Sequence, residues 1–503
     1  MVPAHGGPER QLTSIGVHPE WTPDGAEIRF RAGGVGGLGL YVNLYTVPAD
    51  GGEPAREILR DFLRGGGWDW IASHPDGRIS ALGIHGQSGA GFYTVSPDGR
   101  NVTRSELAQG LPFRLQNGSA SGLGTRVVRF AWNRTGTALY VEALVNEVRN
   151  VWRVHVDPKT LRWEAAEQLT AGAGADVAAA PSPGETRVVF TTERRTSRLW
   201  VFPFDAAAGR VTGDGTPVTP EDDRVSGSDL APDGTKAAYT VTRPGTRSVD
   251  LWAVDLKSAE RELLAQNVIR ACWSPDSKAI AYTLFRPEPG EWVVAVRALA
   301  GPERLLGRWS RDSALLCSDW TRDGAAILGS YFHPISSAAP LALWSSSGQS
   351  SKPERILLAD PPASLWQGRF SSDGRWVSFG LQRPNALGVE LMVAAAGGAP
   401  PAEWTRLAAD HAFPDKPRWA PDGRTLYFLS RGSGAFFNLW GIRFDPERGR
   451  AVGAPFMITR FDSSSQMVSP DLAETEMGIS ARRAMLTMAT VSGSIWMLDN
   501  VDK

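Results

Sequence analysis

Short runs in which apolar and small or polar residues alternate recur along the whole chain, each preceded by a tight turn. The clearest copy is Trp273-Ser-Pro-Asp-Ser-Lys-Ala-Ile-Ala-Tyr282, where Ile280 and Tyr282 alternate with alanines at the period of a strand. Pro275 pre-sets φ for the turn and Asp276 can bond its own backbone, while most copies carry a following Gly for the φ > 0 position. The copies are Trp21–Gly25, Ser73–Gly77, Trp132–Gly136, Pro181–Glu185, Leu230–Gly234, Trp273–Ser277, Trp320–Gly324, Phe370–Gly374, Trp419–Gly423 and Val468–Leu472. Ser96-Pro-Asp-Gly99 follows its neighbour too closely to open a unit and reads as a later hairpin of the second repeat.

A large residue in a strand follows each turn: Tyr45, Tyr93, Trp152, Trp200, Trp252, Trp292, Trp344, Met392, Trp440 and Trp496. Ten turns and ten such strands agree. Each unit then holds four short strands, the last ending in sequences such as Gln168-Leu-Thr170. A lone four-stranded sheet cannot bury both faces, but stacking it between neighbours can. The expectation is an all-β fold, a β-propeller of about ten four-stranded blades spanning 1–503, with units starting near 14, 66, 123, 172, 222, 265, 312, 362, 411 and 461. One large ring is the favoured arrangement and two smaller tandem rings the alternative. Residues 2–13 match the stretch from Val47 that closes the first repeat, so a terminal strand is expected to complete the last blade. The other reading of that match is a chain that has lost its front.

Composition changes this picture little. Lys+Arg 53 against Asp+Glu 54 leaves a net charge of −1, which disfavours nucleic acid and anionic membranes as partners. The two cysteines, Cys272 and Cys317, occupy similar places in successive repeats and read as buried thiols rather than a disulfide. No apolar run is long enough to span a bilayer and no signal peptide opens the sequence, so the chain as written is expected in the cytoplasm, or in the periplasm if its start is missing.

The Trp-Ser-Pro-Asp-Gly turn, the Leu-Trp strand and the Gly-Gly-Glu/Pro-x-x-Leu-Thr endings resemble the TolB-like, WD-repeat-like bacterial β-propellers, over essentially the whole chain. Similar propellers stand alone in the periplasm or form the C-terminal sensor half of bacterial serine/threonine kinases and winged-helix regulators. The resemblance implies the fold and leaves the activity open. Kinase chemistry is not implied, because the Gly-rich loop with its lysine and the His-Arg-Asp stretch are missing.

Candidate chemistry is sparse. There is no Gly-x-Ser-x-Gly elbow, no His-Glu-x-x-His and no Cys-x-x-Cys pair. One acidic pattern has content. Asp222, Asp312 and His411 each lie eleven residues before a motif Asp, with Asp223, Asp410, Asp462 and Asp176 near that register. Asp229 and Asp319 lie four residues before theirs and point towards the channel. Converging carboxylates of this kind could hold Ca²⁺, a cationic ligand or a peptide, although turns also select Asp without any ligand. The expected function is a non-catalytic binding or protein-interaction module, a monomer taking a protein, peptide or small ligand on one face and serving a signalling protein as its sensor. The alternatives are a hydrolase or lyase with a metal site at the channel mouth and a TolB-like envelope protein.

Overall fold

A computed structural model of the chain describes residues 10–501 apart from 14–15, 33–42, 65, 86–87, 115–124, 146–147, 173, 222, 243–247, 300, 311–312, 333–338, 384–388, 412, 433, 471 and 473–474. The described residues form an all-β array of repeated antiparallel sheets, consistent with blades. One short helix, Arg60–Arg64, is the exception to the strands and turns besides a 3-10 turn at Pro401–Glu403. Val268–Trp273, Ala279–Arg286, Glu291–Ala298 and Glu303–Ser310 show the plan: four strands hydrogen-bonded in chain order.

The turn chemistry accounts for the first hairpin of the units. In seven copies the motif Asp accepts the N–H two residues on, as Asp276 does from Lys278 at 3.1 Å and Asp422 from Arg424 at 2.9 Å. The following Gly sits at positive φ (Gly324 at 70°), and where Ser277 replaces it the backbone still takes φ 60°. Ser96–Gly99 joins the third and fourth strands of its sheet.

The tenth copy behaves differently. Met467–Val468 and Met477–Ile479 both pair with Arg483–Asp499, so the first strand is interrupted and its hairpin closes later, with Ser480 N–H donating to the Arg483 carbonyl at 2.9 Å. Leu472, where most copies carry Gly, is buried.

Nine sheets are described: seven of four strands, one of five and one of seven. The seven-stranded sheet contains the two longest strands, Arg187–Asp205 and Arg483–Asp499. The chain divides into two compact units, Met1–Arg194 with Ser492–Lys503, and Arg195–Val491. Each division falls inside one of those long strands, so that one sheet holds the strands of two repeats. Ten repeats thus fall four to the first unit and six to the second.

In the first unit the first strands are neighbours in chain order: Val17–Trp21, Gly66–Ser73, Thr125–Trp132 and Ala175–Pro181. In the second, Val225–Leu230 lies beside Val268–Trp273, then come Ala314–Trp320, Ser364–Phe370 and Asp415–Trp419. Met477–Ile479 touches both Asp415–Trp419 and Val225–Leu230. Apolar clusters fill the spaces between successive sheets, one of them containing Cys272, Trp292, Trp309, Cys317, Trp320 and Trp344. Both cysteines are free and buried.

Candidate functional site in the second unit

The first strands of the second unit's four-stranded sheets are irregular in the same place. Each breaks register with its hairpin partner two to five residues before the first residue of the turn motif. Gly227, Gln367 and Lys416 take left-handed φ of 53°, 53° and 59° at these bulges. A bulge adds a residue and re-aims the side chains that follow it. The residue directly before the turn motif is Asp229, Cys272, Asp319, Arg369 and Arg418 in the five successive sheets.

These side chains form a buried ionic centre with groups from the same strands. Arg369 Nη2 lies 3.5 Å from Asp229 Oδ1, and Arg418 Nη2 lies 2.9 Å from Glu476 Oε2 and 4.0 Å from Asp229. Arg270 also bonds Glu476, and Lys416 Nζ reaches Glu476 at 3.5 Å and Asp415 at 3.7 Å. Four cations (Arg270, Arg369, Lys416, Arg418) thus balance four carboxylates (Asp229, Asp319, Asp415, Glu476). Burial pushes the Asp319 carboxyl above its ordinary value, against the pull of Arg369. It also lowers Arg418 to about 9, with the neighbouring Arg369 acting in the same sense. Arg369 itself is held above its ordinary value, since Asp229 and Asp319 outweigh its burial. Burial pushes the Cys272 thiol up, which keeps it an inert, protonated side chain.

The two aspartates also tie sheets together. Asp319 accepts the N–H of Trp320 at 2.9 Å and, across to the next sheet, that of Phe370 at 2.7 Å. Asp229 accepts the N–H of Trp273 at 2.9 Å in the same way. Above this centre opens a cavity of about 830 Å³, to which all six first strands or their turns contribute. Trp273, Trp320, Phe370 and Trp419 form its apolar walls, with Asp229, Asp319, Arg369 and Arg418 among them.

The other sequence candidates lie elsewhere. Asp222 and Asp312 are outside the described residues. Asp223 pairs with Arg261 at 3.1 Å, and Asp410 and Asp462 are exposed. His411 packs edge-on against Trp440 at 4.3 Å, with Nδ1 3.3 Å from the Ser430 hydroxyl. None of these four lines the cavity. The reason is strand length: they precede the first strands, whereas the cavity is at the turn end, on the order of 15–20 Å away at about 3.3 Å per residue. Asp176 belongs to the first unit, where it accepts from the Thr192 hydroxyl at 2.7 Å.

A Ca²⁺ site does not fit Asp229 and Asp319, because their oxygens already accept backbone N–H groups and face guanidinium groups. Among the described residues no group of three or more His, Cys, Asp or Glu could hold a metal ion. Among them, too, no helix is long and apolar enough to cross a membrane. The partners that sequence reasoning missed are Arg369 and Arg418. They lie four residues before Asp373 and Asp422, the same offset that singled out Asp229 and Asp319.

No protein-family model matches the chain, and no curated protein matches it. Among solved structures, a putative TolB from Agrobacterium tumefaciens is similar at 14% identity over 59% of this chain and 99% of that one, with a TM-score of 0.41. TolB from Acinetobacter baumannii is similar at 14% identity over 76% and 87%, with a TM-score of 0.36. An oligogalacturonate lyase in complex with manganese is similar at 17% identity over 63% and 88%, with a TM-score of 0.34. These likenesses are too weak to carry a function to this chain.

Proposed function

We propose that the chain is a non-catalytic binding module whose second unit is a six-bladed β-propeller that takes a small ligand or peptide end at the mouth of its channel. The observation that carries this reading is the cavity of about 830 Å³, walled by the first strands or turns of six successive repeats and floored by charges that already satisfy one another. A general base or nucleophile needs a proton-accepting group aimed at substrate. Here the floor carboxylates are committed to backbone N–H groups and arginines, which suits a rigid recognition surface. The succession of first strands supports the closed ring, since Met477–Ile479 touches both the fifth of them and the first.

The test is a peptide array probed with the intact protein and with a Ser372→Trp variant, which places an indole at an exposed position of the cavity wall. Peptides retained by the parent and lost by the variant are the expected result, together with a change in Trp fluorescence on binding, because Trp273, Trp320 and Trp419 face the cavity. Equal retention by both proteins moves the binding site away from this mouth.

A further inference from the structure

The floor of the cavity in the second unit has its hydrogen-bond acceptors spent and donors left over. Asp319 uses both oxygens on backbone N–H groups, those of Trp320 and Phe370. Asp229 gives Oδ2 to the Trp273 N–H, while its Oδ1 faces Arg369 at 3.5 Å and Arg418 at 4.0 Å. Nearer the rim, Asp276 and Asp323 accept from the Ser274 and Thr321 hydroxyls of their own turns, each at 2.6 Å. The indole N–H groups of the wall are also taken, since Trp273, Trp320 and Trp419 each donate to a backbone carbonyl.

The two arginines differ from all of these. A guanidinium carries five N–H donors in a planar fork and accepts nothing. Arg418 places Nη2 on Glu476 at 2.9 Å and Nη1 on the Pro417 carbonyl at 2.8 Å. Its Nε is buried without a hydrogen-bond partner among the described residues. Arg369 approaches the Asp229 carboxylate only to 3.5 Å, and its Nε is likewise buried without a partner among them. Both side chains line the cavity. Their Nη2 atoms lie within 4.0 Å of the same Asp229 oxygen, so the guanidiniums stand close together, and Arg369 helps to lower Arg418 to about 9. A negative charge at this floor relieves that repulsion and brings acceptors to the leftover donors. An ammonium group, which only donates, meets acceptors that are already taken.

We propose, building on the channel mouth as the binding site, that the ligand enters carboxylate first. The carboxylate accepts from Arg369 beside Arg418, and the apolar group next to it packs against Trp320, Phe370 and Trp419. A peptide C-terminus and a small aryl carboxylic acid share this chemistry. Two pairs of probes on the intact protein separate them. The first is an N-acetylated random tetrapeptide library with a free C-terminal carboxylate against the same library as the C-terminal amide, read by mass spectrometry of what the immobilised protein retains. The second is phenylacetate against phenylacetamide, read by tryptophan fluorescence. At least a tenfold preference for the acid is expected in one pair, which names the source. Arg369→Lys is expected to cut it below twofold, because that variant keeps four cations against four carboxylates and loses the planar fork. Acid and amide held equally by the parent, and both lost in Ser372→Trp, overturn the carboxylate and leave the mouth as the binding site. An acid preference that survives both variants overturns the carboxylate site and the mouth together. Binding of neither acid by the parent also overturns the proposal.

Discussion

Asp229 and Trp273 hold one another twice. The Asp229 carboxylate accepts the Trp273 backbone N–H at 2.9 Å, and the Trp273 indole N–H donates to the Asp229 carbonyl at 3.2 Å. The first bond joins the residue before one turn motif to the first residue of the next motif, so it couples two repeats, here beside the ionic centre. The same rule holds for Asp319 with Phe370 and, in the first unit, for Glu20 with Ser73.

Removing this carboxylate leaves a buried N–H without its acceptor and Arg369 without one of its counter-charges. Asp229→Ala is expected to cost about 3–5 kcal/mol of stability, the range for breaking one side of a buried pair. Asp229→Asn keeps an acceptor and loses the charge, so its cost should be smaller. Urea unfolding of the two variants checks the order. Equal losses would mean that the ion pair with Arg369 contributes all of the effect.

Glu476 is the acceptor shared by Arg270, Lys416 and Arg418. Glu476→Gln leaves four buried cations facing three carboxylates, and a loss of about 3–5 kcal/mol is expected. Because the centre is buried, the loss should persist at high salt, where pairs between exposed groups are screened. Arg375 with Glu447 is such an exposed pair, and the small cost of Glu447→Gln should vanish in strong salt. Denaturation midpoints at low and high ionic strength separate the two classes.

The acid side of the stability curve has a marker in the first unit. His74 stands where other motif copies carry Thr22, Ser274, Thr321 or Ser371, and it is buried edge-on against Trp132 at 4.5 Å. Burial lowers the imidazole below its ordinary value of 6.5, with Asp76 opposing the shift. A base that is harder to protonate when folded binds fewer protons folded than unfolded. Its contribution is therefore intact above pH 6.5 and is lost as the pH falls below that value towards the lowered one. His74→Ser should flatten the fall in unfolding midpoint between pH 7 and pH 5. An unchanged slope would place the acid sensitivity in other groups.

The repeats were legible because a turn needs Pro, Asp and Gly in a fixed order, and each residue acts within its own few bonds. Asp276 and Asp422 behave as local chemistry requires. The ionic centre was half legible, because Asp229 and Asp319 attract notice as carboxylates while Arg369 and Arg418, at the same offset, look like surface residues until the bulges turn them inward. Glu476 was hidden further: it ends an insertion in the tenth repeat, after a motif copy whose Leu472 is buried. The division into two units had no local signal either. A strand of 19 residues, Arg187–Asp205, passes from one unit to the other where a turn would have marked the boundary.

The indoles give the last prediction. Trp273, Trp320 and Trp419 donate to the carbonyls of Asp229, Cys272 and Arg369, each the residue before the turn motif of the preceding sheet, at 3.2, 3.2 and 3.0 Å. Phe370 holds the equivalent place with no ring N–H to give. The series therefore separates packing from hydrogen bonding within one architecture. Trp320→Phe should cost about 1–3 kcal/mol, for a lost bond and a Cys272 carbonyl left buried without that donor. Trp320→Ala should cost about 3–5 kcal/mol, because a cavity is added between two sheets. Equilibrium unfolding measures both. A Phe variant as damaged as the Ala variant would show that the indole bond, rather than the ring's volume, joins these sheets.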